Sequence, residues 1–464
     1  MSAERVWLSL AMLASICFGQ GVLAEDWPHW MGAGHDGVWN ESGIISSFPD
    51  GGADVQWRKP IGGGYGGPAI VGNHVFIMER TKDERQGIDV ENDIAKAGEI
   101  AGGERVKCLD LMTGELVWEY SYDSAYRIAY PNGPRCTPAV DGDRVYSLGA
   151  MGKLLCLNSK TGKVVWQTDL IDQYKAKPPL WGYSSHPLID GKKLIVPVGG
   201  KGSGVVAFDK LTGKEIWRAV DTFDIAYAPL VIYSADIEGK PERQLISWHA
   251  VGVTSLNPET GEEFWNLKFP EERNPSQTQI ATPRLAGNKL LISEFYKGSL
   301  LLEIGSNPPS VKEIWRSYKD DPRSQKSLNC MMATPFVKQG FAYGVAFNRR
   351  GEGVLRCVEL ESNDLKWETD DWQAKKPLMF GTAFLVENGE RYFLFSDTGD
   401  LIVAELSPEG YQELGRAKIL DPTTPARGRK VVWCHPAFAA GKMVVRNDEE
   451  IVCVNLQAVK KTKP

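Results

Sequence analysis

The chain has 464 residues, 42% of them hydrophobic and 10% aromatic, which is enough for a large core and excludes both a disordered chain and a small disulfide scaffold. Fifty-three Lys and Arg against fifty-nine Asp and Glu leave a net charge of −6, which argues against a basic nucleic-acid surface. Forty-eight glycines, twenty-seven prolines and fifteen tryptophans predict many short strands joined by tight turns, not long helices.

Residues 1–24 read as a removed signal peptide. One arginine precedes an apolar run from Val6 to Phe18, and Val22-Leu23-Ala24 fits the small-residue cleavage pattern. The run is too short to span a bilayer and no later stretch is longer, so the mature protein is expected to be secreted or periplasmic with no transmembrane segment. Cys17 is a poor lipid-anchor site because Ile16 before it is bulky. Cleavage leaves seven cysteines, Cys108, Cys136, Cys156, Cys330, Cys357, Cys434 and Cys453, an odd number whose pairing the sequence does not decide.

A lead-in segment, residues 25–54, precedes a repeat that occupies residues 55–457. The repeat is marked by "TGELVW" ending at Trp118, "TGKVVW" at Trp166, "TGKEIW" at Trp217 and "TGEEFW" at Trp265, and the same spacing reaches Trp315 and Trp367. A period near fifty residues made only of strands is that of propeller blades, each of four antiparallel strands. In "TPAVDGDRVYSLGAMGKLLCLNSKTGKVVW" the first strand begins at "TPAV", "DGD" turns it, "RVYSLGA" and "GKLLCLN" follow, and "SKTG" leads into the fourth, "KVVW". Proline stands at the first strand of each unit, at Pro68, Pro138, Pro187, Pro229, Pro283, Pro335 and Pro436, with Ala383 in the matching place. Proline gives no N–H to a ladder, so it suits the innermost strand, whose free edge faces the channel. Eight starts predict eight blades.

The ends complement each other. "ADVQWRKPI" around Trp57 is a fourth strand without the other three, and "HPAFAAGKMVVRNDEEIVCVNL" is three strands without a fourth, so the ring is expected to close by pairing the two. The tryptophans Trp57, Trp118, Trp166, Trp217, Trp265, Trp315 and Trp367 are expected to dock neighbouring blades. A buried tryptophan removes about 150–250 Å² from water, on the order of 4–6 kcal/mol as an upper bound. The Asp or Asn upstream of the glycine, Asp110 or Asn158, and the Thr before it suit a side-chain-bonded turn with glycine at positive φ. Blade one carries an insertion over residues 81–105, read as a solvated excursion with a short surface helix. Blades five, six and seven lack the Thr-Gly turn, and blade seven lacks the tryptophan, so this side is expected to be less regular. Residues 458–464 form a basic tail, expected to be disordered.

The unit "LCLNSKTGKVVW" resembles the tryptophan-docking repeat of the PQQ propeller superfamily, which includes quinoprotein alcohol dehydrogenases and the lipoprotein scaffold of the outer-membrane β-barrel assembly machine. The lead-in "DWPHWMGAGHDGVWNESGI" resembles that of secreted PQQ-like repeat proteins. The resemblance implies an all-β, eight-bladed β-propeller; it does not select a function.

The residues before each innermost-strand start should ring one channel mouth, the default place for a ligand. They supply Arg135, His186, Tyr227, Thr282, Thr334, Trp433 and His435, and Tyr183 lies close by. Arg135 suits a carboxylate or phosphate through a bidentate pair, or equally a set of loop carbonyls. His186 and His435 have no carboxylate beside them, which argues against a metal. Cys136 and Cys434 read as small buried residues of inner strands, and Cys108, Cys156, Cys357 and Cys453, in one third-strand position, as core.

The resemblance implies, for a dehydrogenase, PQQ over an adjacent-cysteine disulfide, Ca²⁺ held by Glu, Asn and Asp oxygens, and an Asp base. This chain has no Cys-Cys pair, no C-x-x-C-H haem site and no carboxylate in the mouth triplets; Asn132 is the nearest such oxygen. The expectation is therefore a binding or scaffold module without catalytic residues, resident cofactor or metal, whose partner is a protein, a glycan or a small anionic ligand. Two alternatives stand: a PQQ- and Ca²⁺-dependent oxidoreductase with a departed site, and a carbohydrate-binding propeller stacking sugars on Trp181, Tyr183, Tyr227 and Trp433.

Overall fold

The structure, a computed structural model, describes residues 25–82, 99–269, 278–317, 327–373, 378–426 and 428–458. The expected signal peptide and all but the first residue of the basic tail lie outside the described residues. Within them, eight four-stranded antiparallel sheets form the blades of a propeller. Their innermost strands are Ala69–Val71, Ala139–Asp141, Leu188–Asp190, Val231–Ile237, Arg284–Ala286, Phe336–Lys338, Ala383–Asn388 and Ala437–Ala439. Seven of these strands begin just after a proline or at Ala383, because a strand edge facing the channel needs no N–H partner. The eighth sheet is composite: Asp54–Pro60 pairs antiparallel with Glu450–Asn455, with Trp57 opposite Cys453, and closes the ring.

Each docking tryptophan follows a β-bulge in the outermost strand and faces the third strand of its own blade, Cys108 for Trp118, Cys156 for Trp166 and Cys357 for Trp367. The bulge turns the ring toward the next blade, and a small cysteine beneath leaves it room. Trp57, Trp118, Trp166, Trp217, Trp315 and Trp367 donate Nε1–H to a backbone carbonyl of the next blade, at Leu111, Ser159, Lys210, Pro258, Leu360 and Ser407. The accepting turns of blades one to four are held by an Asx residue: Asp110 Oδ1 takes the N–H groups of Met112 and Thr113, Asn158 Oδ1 those of Lys160 and Thr161, and Asp209 and Asn257 do the same in blades three and four. Blade five offers Trp265 no such turn. Its Nε1 bonds within its own blade, to Gln244 Oε1 at 2.8 Å.

In blade seven, Gly415 stands opposite Val403 just past the bulge, the register position that tryptophan holds elsewhere. The lead-in fills the vacated space: the backbone of Ser47 and Phe48 passes close to Gly415, and Phe48 packs against the core of the seventh and eighth blades.

Two features differ from the sequence expectation. The insertion in blade one is narrower than residues 81–105, since His74–Lys82 and Gly102–Asp110 pair without break to Lys82 opposite Gly102. Charges that look like loop composition belong to the ladder because they are partnered: buried Glu79 receives Arg105 and Lys107, and Glu104 receives the hydroxyls of Tyr122 and Tyr126. The expected surface helix falls on residues 83–98, outside the described residues. The chain also forms a short helix, Leu170–Tyr174, capped by Asp169, and an extra hairpin of Thr424–Ala426 with Arg429–Val431.

Candidate functional site

The lead-in is part of the channel. Trp27 bridges Ile70 of blade one, Pro28 O accepts from Val140 of blade two, Arg284 of blade five donates to the carbonyl of Asp36, and Trp39 N donates to Glu387 O of blade seven. Glu41 then takes the N–H groups of Ala440 and Gly441 of blade eight. Most of these partners lie toward the finishing ends of innermost strands, so the segment crosses that end of the channel. Trp27 and Trp39 are buried in the crossing, and Trp30 projects inward, stacked on His186 with ring centroids 4.1 Å apart and donating Nε1–H to Thr282 Oγ1.

Above Trp30, toward the starts of the innermost strands, lies a cavity of about 170 Å³. Its walls are mainly aromatic: Tyr65, Tyr130, Trp181, Tyr227, Phe384 and Trp433, with Trp30 as floor; Met331, Met332, Pro229 and Ile280 complete the apolar part, and Arg135, Ser184, His186 and His435 the polar part. Trp181 stacks on Tyr227 at 5.0 Å, and the backbone N–H of Trp181 donates to the Tyr227 hydroxyl. Trp433 meets Tyr130 edge to face at 5.8 Å. Tyr130 takes φ +51°, a left-handed conformation costly for a side-chain-bearing residue. That turn gathers the carbonyls of Ala129, Tyr130 and Gly133 onto the Arg135 guanidinium, which therefore serves the loop; its charge also lies over the Tyr65 ring, 4.8 Å from the centroid.

The two histidines are neutral at pH 7. Burial holds His435 at about 4 and His186 well below its ordinary value. Their tautomers are set by backbone bonds. Thr137 N–H donates to His186 Nδ1 at 2.8 Å, so the proton of that ring sits on Nε2; His435 Nδ1 lies 2.6 Å from Pro436 O and must donate, so its Nε2 is a bare acceptor.

The sequence candidates thus divide. Arg135, His186, Tyr227, Trp433 and His435 line the cavity, as does Trp181. Thr282 and Thr334 lie beside it and bind each other across blades five and six, Thr282 N to Thr334 Oγ1. Tyr183 does not reach it: the ring is buried between blades two and three and its hydroxyl donates to Val198 O, because its backbone turns it toward the sheet interior. A sugar platform that includes Tyr183 is therefore not formed. Tyr65 and Met332 stand in the channel-mouth triplets before Pro68 and Pro335, although the sequence did not single them out; Tyr130, Trp30, Phe384 and Met331 were not legible as site residues, and for Trp30 the three tryptophans of the lead-in were the available signal.

The lining offers no anionic oxygen. Asn132 Nδ2 donates to Asp448, whose carboxylate also receives Gly64 N and Thr424 Oγ1, so this pair is committed to the loops. All seven described cysteines are free and buried. A donor set of this kind does not fit the PQQ and Ca²⁺ arrangement that the sequence resemblance implies for dehydrogenases.

Comparison with known proteins agrees with the architecture. The family model described as outer membrane protein assembly factor BamB matches residues 102–317. Among curated proteins, the outer membrane protein assembly factor BamB of Burkholderia pseudomallei is 25% identical over 55% of this chain and 58% of its own length. That of Yersinia pestis is 23% identical over 63% of this chain and 68% of its own. The quinohemoprotein alcohol dehydrogenase ADH IIB of Pseudomonas putida is 33% identical, over 25% of this chain and 17% of its own length. The match thus spans less than two thirds of the first of these relatives and a small part of the dehydrogenase. Among solved structures, BamB from Moraxella catarrhalis aligns with a TM-score of 0.52 at 13% identity, covering 87% of this chain and 99% of that one, a likeness of fold.

Proposed function

We propose that this PQQ-like β-propeller repeat protein is a non-catalytic binding module, secreted or periplasmic, that receives a partner protein at the channel mouth. The observation that carries the reading is the cavity itself, floored by the chain's own Trp30 and walled by aromatic rings, with no carboxylate in its lining. The face around it supports the same reading. Innermost strands begin at this mouth, so the loops between blades and the hairpins joining second to third strands surround it. Leu180, Phe223, Val251, Tyr296 and Met379, all exposed, stand on those loops and hairpins. The likeness to a protein named as an assembly factor supports a partner-binding role.

No resident cofactor belongs to this reading. Its test is the mature protein immobilised and offered its own cell-envelope proteins, beside the double variant Leu180→Ser and Phe223→Ser. One partner held by the wild type and lost by the variant, with unchanged thermal midpoints, supports it. Calorimetric titration with PQQ, with and without Ca²⁺, supplies the contrary outcome: tight Ca²⁺-dependent binding with dye-linked alcohol oxidation would overturn it.

A further inference from the structure

We infer that the cavity is a socket for one uncharged aromatic ring bearing a hydroxyl, a phenol-like group. The inference rests on the binding reading above and gives it a ligand chemistry.

Size sets the first limit. An apolar protein cavity of about 150 Å³ holds benzene. The cavity here, about 170 Å³, matches one substituted ring. Its aromatic walls present ring faces and edges, which pack best against another ring.

Charge sets the second. An anion would meet the Arg135 guanidinium, but three of its five N–H groups are turned to loop carbonyls, and neither histidine carries a proton in excess. A cation would find aromatic faces, yet no carboxylate lines the cavity and Arg135 stands in its wall. A neutral guest avoids both penalties.

The polar atoms that remain free set the third. His186 Nε2 is a donor and His435 Nε2 an acceptor, fixed in opposite senses by their backbone bonds. Both rings pack on Trp30, at 4.1 and 4.7 Å, so the two groups share the floor. The Trp433 ring also joins the lining, but its Nε1 is buried away from the cavity, so the two imidazoles supply the polar contacts. A phenol hydroxyl both donates and accepts. It can donate a hydrogen bond to His435 Nε2 and accept one from His186 Nε2, while toluene can do neither.

The guest can be a free small molecule or a tyrosine side chain of a bound protein, and the two share this chemistry. The experiment is calorimetric titration of the mature protein with p-cresol, toluene, benzoate, choline and N-acetyl-tyrosinamide. Saturable p-cresol binding, about tenfold or more tighter than toluene, benzoate or choline, is expected. His435→Phe, which keeps a ring and removes the acceptor, should bring p-cresol close to toluene while toluene binding itself is unchanged. N-acetyl-tyrosinamide binding as well as p-cresol points to a side chain; its exclusion points to a small molecule. Absence of saturable p-cresol binding, or benzoate or choline binding as tightly, overturns the inference. Partner capture that survives while p-cresol fails would sink the socket alone; p-cresol binding without any partner would sink the scaffold reading alone.

Discussion

The indole of Trp118 rests on the backbone of Gly162 in the neighbouring blade, so closely that a Cβ on that glycine would come within 2.5 Å of the ring. Trp57 on Gly114, Trp166 on Gly213 and Trp217 on Gly261 repeat the contact. The glycine and the tryptophan of one repeat unit therefore serve different interfaces: the glycine receives the ring of the blade before, and the tryptophan reaches the blade after. These glycines also sit at positive φ, +67° at Gly162.

Gly162→Ala should accordingly destabilise twice over, through left-handed strain and through overpacking, by about 2–4 kcal/mol together. Gly142→Ala is the control. It shares the positive φ, +56°, but nothing lies within 4 Å of its Cβ, so about 1–2 kcal/mol is expected. Urea denaturation of both variants decides; equal losses would show that the ring contact contributes nothing.

Gln244 is the substitute acceptor where blade five gives Trp265 no turn. Its Oε1 also accepts from Ser255, and its Nε2 donates to Gly305 O. Gln244→Leu leaves several buried groups unpaired and should cost about 2–4 kcal/mol. In a double-mutant cycle with Trp265→Phe, the combined loss should be smaller than the sum by about 1 kcal/mol. Strict additivity would mean the bond is energetically idle.

Gly415 accommodates the lead-in in place of a docking ring. Gly415→Trp should displace Ser47 and Phe48, and thermolysin should then cleave before Ile45 several times faster than in the wild type, as an order-of-magnitude expectation for a locally opened segment. An unchanged cleavage rate would mean that the segment is held without this contact.

The buried histidines predict acid sensitivity. Burial lowers His29, His249 and His435 to about 4, His35 to about 3, and His186 well below its usual range. Between these values and about 6.5 the unfolded chain binds protons that the fold refuses, so stability is full above pH 6.5 and falls as pH drops toward 4. Each histidine contributes a slope of up to about 1.4 kcal/mol per pH unit. Asp397 acts in the opposite sense: burial raises it to about 6 despite Arg429, so its acid form favours the fold as pH falls from 6. Five groups against one predict a lower thermal midpoint at pH 5 than at pH 7.5. An equal or higher midpoint at pH 5 would contradict the burial of the histidine cluster.

Much of the ring was legible because its determinants are local. The Thr-Gly turns, the prolines at innermost strands and the fifty-residue period each lie within one blade, and the split blade showed itself as Trp57 without its three companion strands. The insertion was drawn too wide because Arg80, Glu104 and Arg105 look like surface residues until their partners across the strands are known.

The sequence by itself determined the architecture, since turn chemistry and strand period act between residues a few positions apart. Only the tertiary structure decided the site. Trp30 and Trp433 lie some four hundred positions apart and meet only because a closed ring brings every innermost strand to one axis. Tyr183, close to His186 in the chain, faces the interior between blades, because side-chain direction depends on the local backbone and not on proximity in sequence. The tautomers of His186 and His435, and hence what the cavity offers a guest, follow from backbone groups that their own sequence contexts do not reveal.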